Sequence, residues 1–409
     1  MGNSFASTSL AATIGLLKNW YAGPVVSQFN DELPWYKQID KGSEKFSGLA
    51  VVRAVKVRRN QGVGATSDGG ILPTIGTQTT VNATISAKFN YLRFGLTGPM
   101  LKSAQTDKGA FASIMDFEMR EGMNDLKTDV NRQFFGDGTG IVGLLAAAVA
   151  ASQTLSVYGR DSTEEGSKYI DVGAVLDLVS AAGVLLSSGL VVQSVTGTSG
   201  AVTVVVSSPV TAAASDILVR SQSYNQEIQG LAYVLPSAAS TIFGINQSTY
   251  GAFRGTYTDN GAGALSLNAM QTAYNEARRL GGANINYVVS DFDSERFYNR
   301  LLIADKRYSS TGAGKVMGDG TFSDKSKSYL EWAGVPFVPD KDATKKVYFI
   351  DSSAWKKYVL SELEWADETG SYMIAQTSSD AFEVRLRLFC NIFCEKPRSQ
   401  AVLANYIAP

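Results

Sequence analysis

The 409 residues are enough for two or three domains with a large core, and the composition, 44% hydrophobic and 18% charged, predicts an ordered protein. The net charge of −1 gives no reason to expect tight binding to nucleic acid, although an inward-facing basic patch is compatible with it. The chain contains no histidine, which removes the commonest general base, the commonest metal ligand and the usual serine or cysteine triads.

The N-terminal stretch, residues 1–45, is rich in Ser, Thr and Ala and shows no core pattern of its own. It carries two aromatic pairs, Trp20 with Tyr21 and Trp35 with Tyr36. The sequence predicts either an arm that docks on a neighbouring molecule or an edge that packs on its own domain, and both interpretations stay open. Because the apolar run LAATIGLL is too short to span a bilayer and no basic signal-peptide start precedes it, we predict a chain made in the cytosol without a membrane anchor.

Residues 46–98 contain two strand-like stretches around a glycine-rich segment. The first, KFSGLAVVRAVKVRR, is rich in Val, and the second alternates over residues 79–91, about 45 Å at ~3.3 Å per residue. The glycines look like a phosphate cradle, but such a cradle needs a helix directly after it, and here a strand follows. The sequence therefore predicts a protruding β-ribbon with a flexible glycine turn, which must lie on another surface because isolated hairpins are marginal.

Residues 107–135 carry apolar residues at every third or fourth position, which predicts one helix of about seven turns, ~40 Å long. The stripe consists of Phe111, Ile114, Met115, Met119, Met123, Leu126, Val130 and Phe134. Thr106 or Asp107 can cap its start, and Gly136 is a natural stop. The helix needs a long partner surface, such as a ribbon or sheet, while Gly122 and the irregular spacing argue against a coiled coil.

The next two regions differ in composition. Residues 151–235 predict a small β-rich insertion, with a helix over residues 172–186 before its main strands. Residues 236–372 predict a mixed unit made of the helices SLNAMQTAYNEARRLGG and DSERFYNRLLIA and the strands INYVVS, KVYFID and WKKYVL. The first of these helices is capped at its start and stopped by Gly281 and Gly282. A polar loop at residues 307–327 is long enough to be functional or mobile. The alternating stretch from residue 381 onward predicts one long final strand.

No group of residues predicts a catalytic centre. Asp291, Asp293 and Glu295 alternate as in a metal loop, but they stand where a helix begins, so capping explains them better. GAGKVMGDG, around Lys315, lacks the Ser or Thr of a phosphate loop, which favours a mobile loop. The carboxylate pairs, which are commonly solvated loop charges, are Glu362 with Glu364 and Asp367 with Glu368.

The two cysteines, Cys390 and Cys394, share one strand-like segment. Their α-carbons would be about 13 Å apart along a strand, too far for a disulfide. They predict buried thiols in a reducing compartment. Together with the missing histidine, these observations predict no catalytic residue, no cofactor and no metal, and therefore a protein that is not an enzyme.

The order of these parts resembles the major capsid proteins of tailed bacteriophages, which have the Hong Kong 97-type fold. The phrases that look like this family are SDGGILPTIGT, RQFFGDGTG, IFGINQSTYGAFRG and YVVSDFDSERF. The resemblance covers nearly the whole chain and implies an α+β fold. Its implied parts are an N-terminal arm at 1–45, an extended β-ribbon or E-loop at 46–98, a peripheral domain with a spine helix at 99–150 and 373–409, a β-rich insertion at 151–235 and an axial domain at 236–372.

The resemblance implies a structural protein that self-assembles as pentamers and hexamers into an icosahedral shell, located in a virion and assembled in the host cytoplasm. The implied partners are further copies of the chain, a separate scaffolding protein, a portal, a decoration protein as a further candidate, and packaged double-stranded DNA contacted without sequence specificity. The implied inter-subunit contacts are Thr66, Asp68, Ile71, Leu72 and Pro73 at the ribbon tip and Trp20, Tyr21, Trp35 and Tyr36 in the arm. Arg307, Lys315 and Asp319 would line a loop near a symmetry axis.

Two departures from the family sharpen the expectation. Some members crosslink a ribbon lysine to an asparagine of the next subunit, but here Lys56 and Lys88 stand only at the ribbon base, so we predict a non-covalent shell. No long charged segment opens the chain, which makes a fused scaffolding domain unexpected, so that scaffolding would be separate or dispensable. Two other functions stay open: an encapsulin, a cellular nanocompartment of the same fold, and a β-rich tail fibre or adhesin.

Overall fold

The structure, a computed structural model, describes residue 35 and residues 38–44, 46–97, 108–197, 200–306, 330–367, 374–375 and 380–409. The chain divides into two compact units. The first comprises Met1–Val51, Ile85–Phe134 and Lys356–Phe393, and the second comprises Val52–Thr84, Phe135–Trp355 and Cys394–Pro409. Helices and strands occur in both units, which confirms the predicted α+β class.

The described strands, in chain order, are β1 Asp40–Lys41, β2 Ala50–Arg58, β3 Thr79–Ser86, β4 Lys88–Thr97, β5 Ile141–Leu145, β6 Val149–Tyr158, β7 Val175–Val179, β8 Leu185–Thr196, β9 Val202–Ala212, β10 Ile217–Arg220, β11 Thr241–Ile242, β12 Ile245–Asn246, β13 Thr256–Ala264, β14 Tyr287–Ser290, β15 Leu330–Trp332, β16 Val335–Pro339, β17 Val347–Ile350, β18 Trp355–Trp365, β19 Ile374–Ala375, β20 Ala381–Cys394 and β21 Ala401–Ile407. The described α-helices are α1 Lys108–Phe135, α2 Leu231–Val234, α3 Leu267–Gly281 and α4 Phe292–Lys306.

The first unit contains a five-stranded sheet and the long helix α1. The sheet has the strand order β1-β18-β20-β19, and β4 pairs antiparallel with β20 from Thr97 opposite Ala381 to Lys88 opposite Cys390. Apolar residues of β20 alternate with charged ones over its first half, as the sequence predicts. The strand is completely buried over its last residues, so it forms the centre of the sheet.

Helix α1 confirms the predicted bounds and stripe. It ends at Phe135, directly before Gly136. The stripe residues whose side chains are described are all buried: Met119, Met123, Leu126, Val130 and Phe134. A Cβ atom on Gly122 would lie 2.9 Å from Cδ2 of Leu92 on β4, so glycine allows close approach of helix and sheet here. The sheet thus provides the long partner surface that the stripe requires.

The alternating stretch at 79–91 is two strands instead of the predicted one. β3 pairs with β2 in a two-stranded ribbon, whereas β4 pairs with β20 in the sheet. The break falls at Ala87, whose N–H donates to the carbonyl of Leu49 at 2.8 Å. Because the period of two continues through the break, the pattern cannot reveal the change of partner. The paired ribbon therefore spans about 30 Å, not about 45 Å, at ~3.3 Å per residue.

A closed six-stranded barrel in the second unit takes the place of the predicted β-rich insertion. Its strand order is β10-β5-β6-β9-β8-β7, and its interior is filled mainly by Val and Leu. It begins at Ile141, before the predicted boundary at residue 151. The predicted helix over 172–186 is wrong, because β7 and the start of β8 occupy this range. Gly173 and Gly183 have φ of 89° and 86°, so the chain turns in a left-handed conformation at each, and barrel closure overrides local helix propensity.

The second unit also contains a six-stranded sheet in the order β13-β21-β17-β14-β16-β15, covered by α3 and α4. Helix α3 begins as predicted, with the Ser266 hydroxyl accepting the N–H of Ala269 at 3.1 Å. It ends at Gly281, and Gly282 caps it in a left-handed conformation with φ of 63°. Helix α4 is capped by Asp291, which accepts the N–H of Ser294 at 3.1 Å. This confirms the capping interpretation of the acidic residues there.

The C-terminal stretch is also two strands instead of the predicted one. β20 lies in the five-stranded sheet, whereas β21 pairs with β13 and β17 in the six-stranded sheet. A short 3-10 turn at Pro397–Ser399 separates them, and proline cannot supply the N–H that a continuing strand needs. Residues 394–409 therefore lie in the second unit, whereas β18 lies mainly in the first.

Candidate functional site

The loop that joins β2 to β3, residues 59–78, is named the ribbon tip. Its first turn is set by Asn60, whose Oδ1 accepts the N–H of Gly62 at 2.7 Å. The returning chain passes close to the outgoing one at Gly76: a Cβ atom there would lie 2.6 Å from the backbone N of Gly62 and 2.7 Å from that of Gln61. This crossing of two backbones, named the neck, leaves no room for a side chain.

Beyond the neck, the tip exposes a cluster of large apolar side chains. Val63, Ile71, Leu72 and Ile75 are 84, 96, 77 and 95% exposed, respectively. An apolar cluster of this kind on a protein surface marks an interaction site. The ribbon tip is therefore the leading candidate for a surface that another molecule covers.

The structure brings the predicted tip residues together in this loop. Ile71 and Leu72 belong to the apolar cluster, Pro73 is half-buried, and Thr66 and Asp68 are exposed. The far end of the loop is closed by a turn in which the Gly70 N–H donates to the Ser67 carbonyl at 2.9 Å. Sequence reasoning missed Val63 and Ile75, although both are apolar residues in the same glycine-rich segment.

The base of the ribbon is held by two contacts within the second unit. Arg53 on β2 forms an ion pair with Glu395 at 2.8 Å. On β3, the N–H of Thr84 donates to the carbonyl of Phe243 at 2.9 Å. Phe243 and Gly244 form the turn of the β11–β12 hairpin, with φ of 49° and 82°, an unusual conformation for phenylalanine. These contacts hold the base of the β2–β3 ribbon and leave the ribbon tip uncovered.

The other predicted contact residues fall in two groups. Trp35 is completely buried within its own chain. For this residue the structure agrees with the interpretation that the N-terminal stretch packs on its own domain. The remaining predicted residues lie outside the part of the chain that the structure describes: Trp20, Tyr21, Tyr36, Arg307, Lys315 and Asp319.

A second exposed apolar surface, named the barrel face, lies on and around β7 and β8. It consists of Val172, Val175, Val184, Leu185, Leu186 and Val191. Val175 lies opposite Val191 in the β7–β8 pairing, so the two side chains are neighbours on one face of the barrel wall. Sequence reasoning missed this surface because it assigned residues 172–186 to a helix.

A network of buried charges joins the barrel to the loop between β16 and β17. Glu164 forms ion pairs with Arg160 and with Lys168, both at 2.8 Å. Burial alone would raise the pKa of Glu164, but the hydrogen bonds and charges of Arg160 and Lys168 outweigh it and lower the pKa to about 2. Arg160 also donates to the carbonyl of Asp342, and the Tyr169 hydroxyl donates to the Asp342 carboxylate at 3.1 Å. Within the second unit, the network thus links the barrel to a loop of the six-stranded sheet.

Two of the carboxylates singled out from the sequence form ion pairs, and both thiols are buried. Glu362 pairs with Lys41 at 2.5 Å, and Glu364 pairs with Arg387 at 2.9 Å. Both cysteines are buried and free, and burial raises the pKa of the Cys390 thiol to about 12, which keeps it protonated. In the described ranges, no three acidic or cysteine side chains are grouped to hold a metal ion, and no helix there is long and apolar enough to cross a membrane.

Comparison with solved structures finds this fold in the capsid asymmetric unit of cyanophage A-1(L), with 12% identity and a TM-score of 0.56 over 91% of this chain and 93% of that chain. The capsid of the native GTA particle matches with 10% identity and a TM-score of 0.47 over 90% of this chain and 88% of that one. The holo-SrpI encapsulin complex from Synechococcus elongatus PCC 7942 matches with 14% identity and a TM-score of 0.28 over 40% of this chain and 59% of that one.

The sequence comparisons add no relative: no protein-family model matches the chain, and no curated protein matches it. The cyanophage match shows that the chain has the fold of that phage capsid protein along nearly its whole length.

Proposed function

We propose that the chain is the major capsid protein of a tailed bacteriophage, a structural protein that assembles as pentamers and hexamers into an icosahedral shell. The observation that carries the proposal is the fold shared with the cyanophage capsid protein over 91% of the chain. The ribbon tip supports it, because an apolar cluster left uncovered by its own chain is stabilised when another copy buries it.

The Hong Kong 97-type parts can be assigned to the observed elements. In this proposal the β2–β3 ribbon is the E-loop, α1 is the spine helix, and the five-stranded sheet with α1 is the peripheral domain. The six-stranded sheet with α3 and α4 is the axial domain, and the barrel is an insertion between them in the sequence.

The proposal extends to partners and location. The shell would enclose double-stranded DNA, contact it without sequence specificity, and form part of a virion assembled in the host cytoplasm. A portal and a separate scaffolding protein would take part in assembly, and a decoration protein is a further candidate partner. Because residues 60–87 contain no lysine, the contacts made by the ribbon tip would be non-covalent.

The experiment is electron microscopy in negative stain, combined with sedimentation, on the chain expressed alone and with the genes that neighbour its own. Closed shells, or pentamers and hexamers, are the expected result. A monodisperse monomer or trimer under both conditions would contradict the proposal and favour a fibre or adhesin. Closed shells that enclose a protein cargo and acquire neither a portal nor nuclease-resistant DNA would instead favour the encapsulin alternative.

A further inference from the structure

We infer that the neck presents the ribbon tip: Asn60, Gly62 and Gly76 are positioning residues that hold the apolar cluster ready to bind a second copy of this chain. The inference rests on the proposed function and deepens it. It differs from the expectation of a flexible glycine turn, because the glycines at the neck permit a close backbone contact instead of simply adding freedom.

The loop is closed at three levels. At the neck, Gly76 lies against the backbone of Gln61 and Gly62. Farther out, a Cβ atom on Gly64 would lie 3.1 Å from Cγ of Pro73, so the two legs stay in contact there as well. At the far end, the turn from Ser67 to Gly70 reverses the chain. The apolar side chains are thus carried by a loop that is already closed in the isolated chain.

Closure before binding matters because ordering a flexible loop on binding costs conformational entropy. A loop already closed at the neck loses less entropy when its apolar side chains are buried. An alanine at position 76 would place its Cβ 2.5 Å from Oδ1 of Asn60 and against two backbone nitrogens, and the backbone atoms cannot rotate away as a side chain can. The legs would have to separate, which reopens the loop.

The composition of the tip indicates what covers it. Arg59 opens the tip directly after β2, and residues 60–78 contain no lysine or arginine and a single acidic residue, Asp68. Binding to nucleic acid depends on positive charge, so the tip does not suit DNA. Four exposed apolar side chains suit an apolar protein surface, and the fold of a shell-forming capsid protein makes a second copy the partner of choice.

The test compares the apparent critical concentration for shell formation of single and combined variants, measured by light scattering and confirmed by microscopy. The serine pair Ile71→Ser with Leu72→Ser should raise it by about tenfold or more, from lost apolar burial. Gly76→Ala should raise it by about tenfold, and Asn60→Ala, which loses one hydrogen bond, by about threefold. The matched control is Gly251→Ala, because a Cβ atom there meets nothing within 4 Å.

The combination of Gly76→Ala with the serine pair separates positioning from a merely structural role. If the neck acts through the apolar cluster, the combination should raise the critical concentration by no more than about twofold beyond the serine pair alone. Multiplying effects, or neutral Gly76→Ala and Asn60→Ala variants beside an impaired serine pair, would overturn the neck inference and leave the proposed function intact. Absence of shells from the unaltered chain would contradict the proposed function itself. Unchanged thermal unfolding of Asn60→Ala excludes misfolding as the cause.

Discussion

The barrel and the ribbon tip contain similar apolar residues, but the barrel buries most of them and the tip exposes them. Both are rich in Val, Leu and Ile, but the barrel turns most of them inward and closes its strands into a ring without a free edge. The tip has a defined backbone conformation but encloses no interior, so its large apolar side chains remain 77–96% exposed. The barrel therefore stabilises its own chain, whereas the tip can be stabilised only by association.

This difference predicts that substitutions in the two regions affect different measured quantities. Substitutions inside the barrel should lower the free energy of unfolding of the isolated chain. Substitutions of the exposed apolar side chains of the tip should leave that free energy nearly unchanged and act on shell formation.

The largest effect is expected inside the barrel. Leu218 on β10 is completely buried in the barrel core, so Leu218→Ala removes apolar contacts and leaves a cavity. We expect a loss of about 2–5 kcal/mol in the free energy of unfolding, measured by denaturant titration. The control is Leu185→Ala on the exposed barrel face, where a loss as large as that of Leu218→Ala would contradict the assigned interior.

The next largest effect on the free energy of unfolding is expected in the network of buried charges around Glu164. The pKa of Glu164 is lowered from 4.5 to about 2 in the folded chain, so its contribution is complete above pH 4.5 and is lost as the pH falls towards 2. The difference corresponds to about 3 kcal/mol. We expect Glu164→Gln to destabilise the second unit at neutral pH and to flatten the pH dependence of unfolding in this window. Asp171→Asn, at an exposed position, should leave that pH dependence intact.

A smaller effect is expected at a barrel loop. The buried carboxylate of Asp216 accepts the N–H of Ala181 at 3.0 Å and that of Ala213 at 2.8 Å. Asp216→Ala leaves both groups without this acceptor and should cost about 1–3 kcal/mol. Asp216→Asn keeps one acceptor oxygen and should cost less. Equal losses for the two variants, measured by thermal unfolding, would show that the hydrogen bonds are not the cause.

The smallest effect on unfolding is expected at the tip. Replacing Ile71, Leu72 and Pro73 by Gly-Ser-Gly should change the free energy of unfolding of the isolated chain by less than about 0.5 kcal/mol, because these side chains support no core. The same variant should reduce shell yield or the resistance of shells to heat. Shells of normal yield and heat resistance would remove the tip from the list of subunit contacts.

The features predicted correctly from the sequence depend on local signals. The stripe of α1, the Ser266 cap and the Gly282 stop of α3 are each readable within one or two helical turns. In each of these cases, neighbouring residues contain the whole signal.

The features that were missed depend on contacts between distant residues. Nothing in the alternating pattern marks the change of partner at Ala87, because β3 and β4 share one period. The helix predicted over 172–186 was overridden by barrel closure, and the neck exists only because Gly62 and Gly76 approach across a folded loop. Spacing along the chain does not encode such approaches.

The most direct test of the central claim is a cryo-electron microscopy map of the particles that the chain forms. We expect closed shells in which Ile71 and Leu72 of each ribbon tip are buried against a neighbouring copy, with the neck at Gly62 and Gly76 retained. Shells in which these side chains remain exposed to solvent would contradict the claim that the tip is built to be covered by a second subunit.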